Sequence, residues 1–246
     1  MNETLSLLYS HRSDRSFSDQ PVTDEVLCSI LESARRAPTS ANAQHISVVV
    51  VRDADRRARV AELAGGQKWI AKAPVFITIV LDFYKTGIGV AEAGGKQAVQ
   101  ETMEGLLAGV TDVGIALATM MTAARSFGLG IVPIGGIRRN PQGMIDLLEL
   151  PPHSFPVVGL SLGHIVKPAQ QKPRLGMEAF RHDERYRREG LEAAIAAYDA
   201  VLLEYWKRIG RSDGQTWSNN TREYYEQMSS RPVKSAMTRQ GINPER

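Results

Sequence analysis

One stretch limits the fold more than any other. Between residues 101 and 127 the chain sets Met103, Leu106, Leu107, Val110, Val113, Leu117, Met120, Met121, Ala124 and Phe127 at helical spacing, with apolar residues almost all round. A helix apolar on nearly every side has to be covered, in a domain core or against a second subunit.

What surrounds it is a sheet protein. "HISVVVVRD" (45–53) and "APVFITIVLD" (73–82) are continuous β-branched runs bounded by polar residues or Pro, the pattern of strands buried on both faces. "GLGIVPIGGI" (128–137) and "FPVVGLSLGHIV" (155–166) predict two more strands around a helix that opens near Pro141. Shorter helices are predicted at 2–10, at 54–64 and at 23–37. In the last of these Val26, Leu27, Ile30, Leu31 and Ala34 repeat behind a Thr23 cap. The Gly-rich segment 84–100 reads as a flexible surface flap. After "KPAQQKPR" come an amphipathic helix at 190–208, the segment "TWSNNTREYYEQM" and a basic tail with Arg231, Lys234, Arg239 and Arg246. With no repeats, the expectation is a single α+β domain with an arm.

Composition narrows the function classes. The 246 residues carry 30 Lys and Arg against 27 Asp and Glu, a net +3 with no run of five like charges, so nucleic acid is unsupported. The single cysteine, Cys28, allows neither an internal disulfide nor a CxxC metal site and reads as a small buried hydrophobe. No stretch reaches about 18 apolar residues, and the N-terminus lacks a secretory pattern, so no membrane is expected and the cytoplasm is the expected compartment.

Local motif matches fail on context. "GLSLG" (159–163) fits the nucleophile-elbow spacing, but Ser161 falls inside a strand and no helix follows. "GIGVAEAGG" lacks the dinucleotide-loop spacing, and the five histidines, His11, His45, His153, His164 and His182, show no helical ligand pairing. A different set fits one chemistry better. Arg12, Ser13 and Arg15 stand on an early loop, Lys172 and Arg174 on a late one, and Gly135 and Gly136 follow a strand. Arginine supplies forked donors to phosphate oxygens, Ser a hydroxyl, and Gly lets a ligand approach the main chain, which together suit an organic phosphate carrying a flat ring.

In that order along the chain, "HRSDRSF", "LAGGQKWIAKAP", "SFGLGIVPIGGIRRNP", "LLELPPHSFPVVGLSLGHIVKPAQQKPRLG" and "TWSNN" resemble the nitroreductase superfamily, most closely its oxygen-insensitive NADPH nitroreductases and NADPH-flavin oxidoreductases. The resemblance covers nearly the whole chain. It implies an α+β fold with a central mixed β-sheet wrapped by helices, in an intertwined homodimer that binds FMN between subunits. Residues 1–246 would form one FMN-binding domain, with 183–246 as a helical arm packing on the dimer.

Carried over residue by residue, the resemblance implies that His11, Arg12 and Ser13, with Lys172 and Arg174, hold the FMN phosphate and ribityl chain. Arg15 and Gln67 would face the pyrimidine edge, and Ile134, Gly135 and Gly136 would offer backbone near flavin N5. Thr39, Ser40 and Asn42 would donate to the ribityl or phosphate. Arg208 matches an arginine used for the NADPH 2'-phosphate, and Arg231 one at the substrate mouth. Asp14, Pro133 and the segment 37–44 depart from the branch pattern. The implied activity is two-electron ping-pong reduction of nitroaromatics, quinones or related flat acceptors, with NADPH as donor and NADH as an alternative. No side chain acts as general acid or base, and no metal takes part. A dedicated NADPH-flavin reductase or a reductive dehalogenase is the alternative within the superfamily. A non-catalytic nucleotide- or nucleic-acid-binding protein using the basic tail is the alternative outside it.

Overall fold

The computed structural model describes residues 1–245; Arg246, the end of the basic tail, lies outside them. The chain gathers into two compact units, one built from residues 1–169 together with the returning segment from 232, the other from residues 170–231.

The first unit is organised on four strands, β1 (Ile46–Val51), β2 (Val75–Asp82), β3 (Gly130–Ile134) and β4 (Ser154–Gly163), in the order β1-β2-β4-β3. The expected mixed sheet is not what this chain forms by itself, because all three pairings are antiparallel. Alternation along the strands feeds two cores. On one face Phe76, Val132 and Ile134 pack with Val60, Ala64 and Ile70, residues of α3 (Ala54–Leu63) and α4 (Lys68–Lys72) and the link between them. On the other, Val75, Ile77, Ile79, Ile131, Leu160 and Leu162 meet Leu27, Ile30, Val113 and Met120, from α2 (Asp24–Arg35) and α6 (Met103–Ser126). β2 is buried along its whole length, as its sequence predicts. β1 is not: it is an edge strand, and its residues are mostly half-buried.

The long apolar helix is covered along one side by the first unit. α6 buries Gly105, Gly109, Asp112, Val113, Ala116, Met120 and Ala124, while Met103, Leu107 and Val110 lie exposed on the opposite side. One protomer covers only half of it.

The segment 84–100 is not a flap. It opens with the helix α5 (Phe83–Glu92), where the Asp82 carboxylate accepts the Lys85 N–H at 3.0 Å. Gln97 closes the segment by donating to the Phe83 carbonyl at 2.8 Å and accepting from the Thr86 hydroxyl at 2.7 Å. The cap and this return outweigh the helix cost of Gly87 and Gly89. Cys28 is exposed rather than buried, because α2 turns Leu27 and Ile30 inward and leaves position 28 outside.

The remaining helices of the first unit are α1 (Glu3–Tyr9), α7 (Pro141–Leu148), which starts with Pro in its first turn as predicted, and α10 (Val233–Arg239). α10 and Ile242 close a third cluster with Leu81, Phe83, Ile145 and Phe155. Gln240 ties this last segment down by donating to the Pro151 and Ser154 carbonyls at 3.0 and 3.1 Å. In the second unit α8 (Leu191–Arg208) and α9 (Trp217–Ser229) pack around Leu202, Tyr205 and Trp206, with Ile209 and Trp217 against them.

Strand β4 carries Gly159 opposite Thr78, where a Cβ would run into the fully buried ring of Phe76. Overpacking of this kind costs about 1–3 kcal/mol. Gly159→Ala is therefore expected to lower the thermal unfolding midpoint by roughly 2–10 °C, read by circular dichroism.

Candidate functional site

The loop after α1 is held from three directions. Its backbone is fixed by Asp14 N–H to the Ile131 carbonyl, Ser18 N–H to His164 and Val166 N–H to Ser16, each at 2.9 Å, and Phe17 bridges Ile165. Asp14 is buried, and its carboxylate accepts the Ala169 N–H at 2.9 Å. Arg125, in the last turn of α6, donates to the Leu7 carbonyl, to the Ser10 carbonyl at 3.1 Å and to the Ser10 hydroxyl at 2.9 Å. Desolvation first, then the charge of Arg12, lowers the Arg125 pKa, while Asp14 opposes them. The acidic side chain of "HRSDRSF" is thus turned inward as a fastener.

Arg15 reaches Trp69. Its guanidinium lies over the indole at 5.2 Å from the ring centre and donates to the Ser13 carbonyl at 3.2 Å. The residue as a whole is exposed, yet its surroundings desolvate the guanidinium enough to lower its pKa, with Asp14 opposing; an arginine stays charged under such a shift. Gln67, two residues before Trp69, caps the start of α4 and donates to the Ala64 carbonyl at 2.9 Å. Gly136 completes the group at the end of β3. A Cβ there would overlap the Gln67 carboxamide and lie 2.7 Å from the Ala64 oxygen, so this close approach requires glycine. Of the residues expected at the ring, the structure sets Arg15 against Trp69, two residues from Gln67, and Gln67 against Gly136.

Thr39, Ser40 and Asn42 are anchored elsewhere. They lie in a tight turn in which Ala41, Asn42 and Gln44 have φ of 50°, 55° and 51°, a conformation that costs side-chain-bearing residues roughly 1–2 kcal/mol each. The Thr39 hydroxyl accepts the Gln44 N–H at 3.1 Å, and the Ser40 N–H donates to Asp112 Oδ2 at 2.8 Å. Asp112 precedes Arg125 by thirteen residues on α6, about 20 Å at 1.5 Å per residue. In one protomer the turn and the cationic loop therefore have well-separated anchors.

Lys172, Arg174, Arg208 and Arg231 belong to the second unit. Lys172 lies over the Trp206 ring at 5.3 Å, Arg208 over Tyr205 at 5.6 Å and Arg231 over Tyr224 at 5.7 Å. Arg174 donates to the carbonyls of Lys172 and Pro173 at 3.1 and 3.2 Å. Among the described residues no cluster of three or more His, Cys, Asp or Glu could hold a metal ion. Ser161 is fully buried within β4, away from any solvent-facing nucleophile position.

Sequence reasoning missed Trp69, Arg125, Asp112 and His45, and treated Asp14 only as a departure from the branch pattern. Asp112 carried a usable signal, as an acidic residue in the middle of an otherwise apolar helical face.

Comparison with known proteins agrees with this geometry. The family model described as "Nitroreductase family" matches residues 8–164, and its "C-terminal domain" counterpart matches 172–245. The chain is 41% identical to the FMN reductase [NAD(P)H] of Bacillus subtilis strain 168 over 100% of both chains. It is 36% identical to the oxygen-insensitive NADPH nitroreductase of Salmonella typhimurium over 90% of each. Its fold superposes on the solved structure of B. megaterium NfrA2 with a TM-score of 0.96, at 38% identity and 100% coverage of both.

Because the buried Asp14 carboxylate takes the Ala169 N–H, Asp14→Ala leaves that donor without its charged acceptor, a loss of about 1.5–3 kcal/mol. The variant is expected to melt roughly 3–10 °C lower, with faster amide exchange confined to residues 10–18 and 164–169, as read by calorimetry and exchange mass spectrometry.

Proposed function

Because the chain belongs to the nitroreductase family, we propose that it is an FMN-dependent NAD(P)H oxidoreductase of the nitroreductase type, reducing nitroaromatics, quinones or related flat acceptors. The observation that carries this reading is the convergence of Arg15, Trp69, Gln67 and Gly136 beside a cationic loop whose acidic residue is turned inward.

These residues fit FMN. A phosphate dianion needs several donors, the role given by likeness to the family to His11, Arg12 and Ser13, with Lys172 and Arg174. The main chain at Gly136 packs directly against Gln67, which suits backbone contact with a planar ring whose pyrimidine edge Gln67 would meet. Gln67 and Arg15 address the pyrimidine edge, and Arg15 holds positive charge where reduction leaves negative charge, favouring the reduced cofactor. The chemistry that bound FMN supplies is two-electron hydride transfer in ping-pong order, with donor and acceptor using one face in turn. The protein's part is positioning and electrostatics, so no side chain needs to act as acid or base. Arg208 takes the NADPH 2'-phosphate, and Arg231 lies at the substrate mouth.

The working form is a homodimer in the cytoplasm, in which the arm that packs on the dimer is 183–231, since the segment 232–245 returns to the first unit. Two observations support the pairing. The outer face of α6 presents Met103, Leu107 and Val110 to solvent, an apolar stripe that a second copy would cover. The Thr39–Asn42 turn and the cationic loop have anchors about 20 Å apart along α6, so a turn from the second copy completes the site that one chain leaves open.

One alternative is favoured by the relative named FMN reductase: free flavin itself as the acceptor. The test is the absorption spectrum of the purified protein, followed by reduction with NADPH and with NADH and reoxidation by nitrofurazone, a quinone or free FMN. A flavin spectrum bleached by NADPH and restored by nitrofurazone or quinone is expected. Fast turnover with free FMN beside negligible nitro and quinone reduction would select the flavin reductase. A colourless protein that takes up no FMN and shows salt-dependent retention on DNA would overturn the reading in favour of a nucleic-acid-binding protein.

A further inference from the structure

Asp112 is almost fully buried in a helix face that is otherwise made of small and apolar residues. A carboxylate in such a place is costly unless donors surround it. Its Oδ2 accepts the Ser40 N–H at 2.8 Å and stands 2.8 Å from His45 Nε2, a close polar contact off the line of a hydrogen bond. His45 is buried as well. His45 is further fixed by the edge of Phe83, whose ring centre lies 5.7 Å away.

The two contacts bracket the turn. Ser40 begins it and His45 follows it, so one oxygen atom of α6 grips both ends of a segment whose middle holds three non-glycine residues at positive φ. Ser40, Ala41, Asn42 and Gln44 are exposed, so hydrophobic burial does not explain their strained shape. Strain that the surrounding structure over-determines is the mark of a segment shaped for contact with something else. The turn borders a groove of about 630 Å³, with Thr39 and Gln44 on its wall and Ala116, one helical turn beyond Asp112, also lining it.

We propose that Asp112 is a positioning residue for flavin binding: by gripping Ser40 and His45 on one buried oxygen, it holds residues 39–44 in the conformation that presents Thr39, Ser40 and Asn42 to FMN. This rests on the FMN reading above. Asp112 itself touches neither cofactor nor substrate in this scheme.

The test uses full-length apoprotein, titrated with FMN and followed by quenching of flavin fluorescence, with amide exchange measured over 38–45 and, as a control, over 75–82. Asp112→Ala is expected to weaken FMN binding and to speed exchange over 38–45, each by about tenfold or more, while 75–82 is unchanged. Asp112→Asn can place its carbonyl oxygen where Oδ2 stands, accept the Ser40 N–H and keep the contact with His45, so it should stay within about threefold of wild type in both measurements. If Asp112→Ala does not fold, His45→Phe, which removes one polar partner and keeps an aromatic ring, should still weaken FMN binding by about threefold or more and speed exchange over 38–45, while 75–82 is unchanged. Wild-type FMN affinity in Asp112→Ala, or in His45→Phe where that variant is the one measured, overturns the proposal. So does an Asp112→Asn variant as impaired as Asp112→Ala. A wild-type protein that binds no FMN overturns the flavin reading instead, and the exchange comparison alone then decides whether Asp112 holds the turn.

Discussion

The packing of one face of α6 on the sheet is the contact on which the rest of the first unit depends. Small residues make it possible: Gly109 comes so close to Leu81 that a Cβ would overlap it, and Gly105, Ala116 and Ala124 continue the buried stripe. Dispersion and hydrophobic burial at such close range need complementary shapes, and the alternating strands supply them. The same helix then serves as a spine. Arg125 at one end fastens α1 and the cationic loop, and Asp112 in the middle fastens the Thr39–Gln44 turn.

These two fasteners and Asp14 work by the same physics. A charged group that is largely withdrawn from water has to be met by hydrogen-bond partners, and each one that is met fixes the backbone supplying them. Arg125 collects carbonyls from the end of α1, Asp14 collects an amide from beyond β4, and Asp112 collects an amide and stands against an imidazole. Loops that would otherwise wander are therefore held to defined shapes, while the polar side chains they carry outward stay available. Arg15 on Trp69 is the outermost case, a cation pre-placed on an aromatic face with only partial desolvation.

Much of this was legible in the chain itself. The β-branched runs, the Thr23 cap and the Pro at the start of α7 act locally, through backbone sterics and single hydrogen bonds, and the structure keeps them. The errors came where the deciding partner is distant. Gly87 and Gly89 suggested a flap, but Asp82 and Gln97 close a helix around them. The helical period of α2 alone did not say which side of Cys28 faces the core. Asp14 read as a substitution in a ligand loop, and only the position of Ala169, 155 residues later, makes it a fastener.

By itself the sequence determined most of the element types and the family, since these follow from periodicity, caps and ordered motifs that need no knowledge of distant neighbours. Which ligand residues share a place was decided only by tertiary structure. Gly136 meets Gln67, and Arg15 meets Trp69, because strand β3 and the link to α4 pack side by side. The 39–44 turn is anchored apart from them because its anchor sits thirteen residues up a rigid helix. Local rules set what each segment is, but proximity between segments arises from packing, and a buried charge has meaning only once its partner has been brought to it.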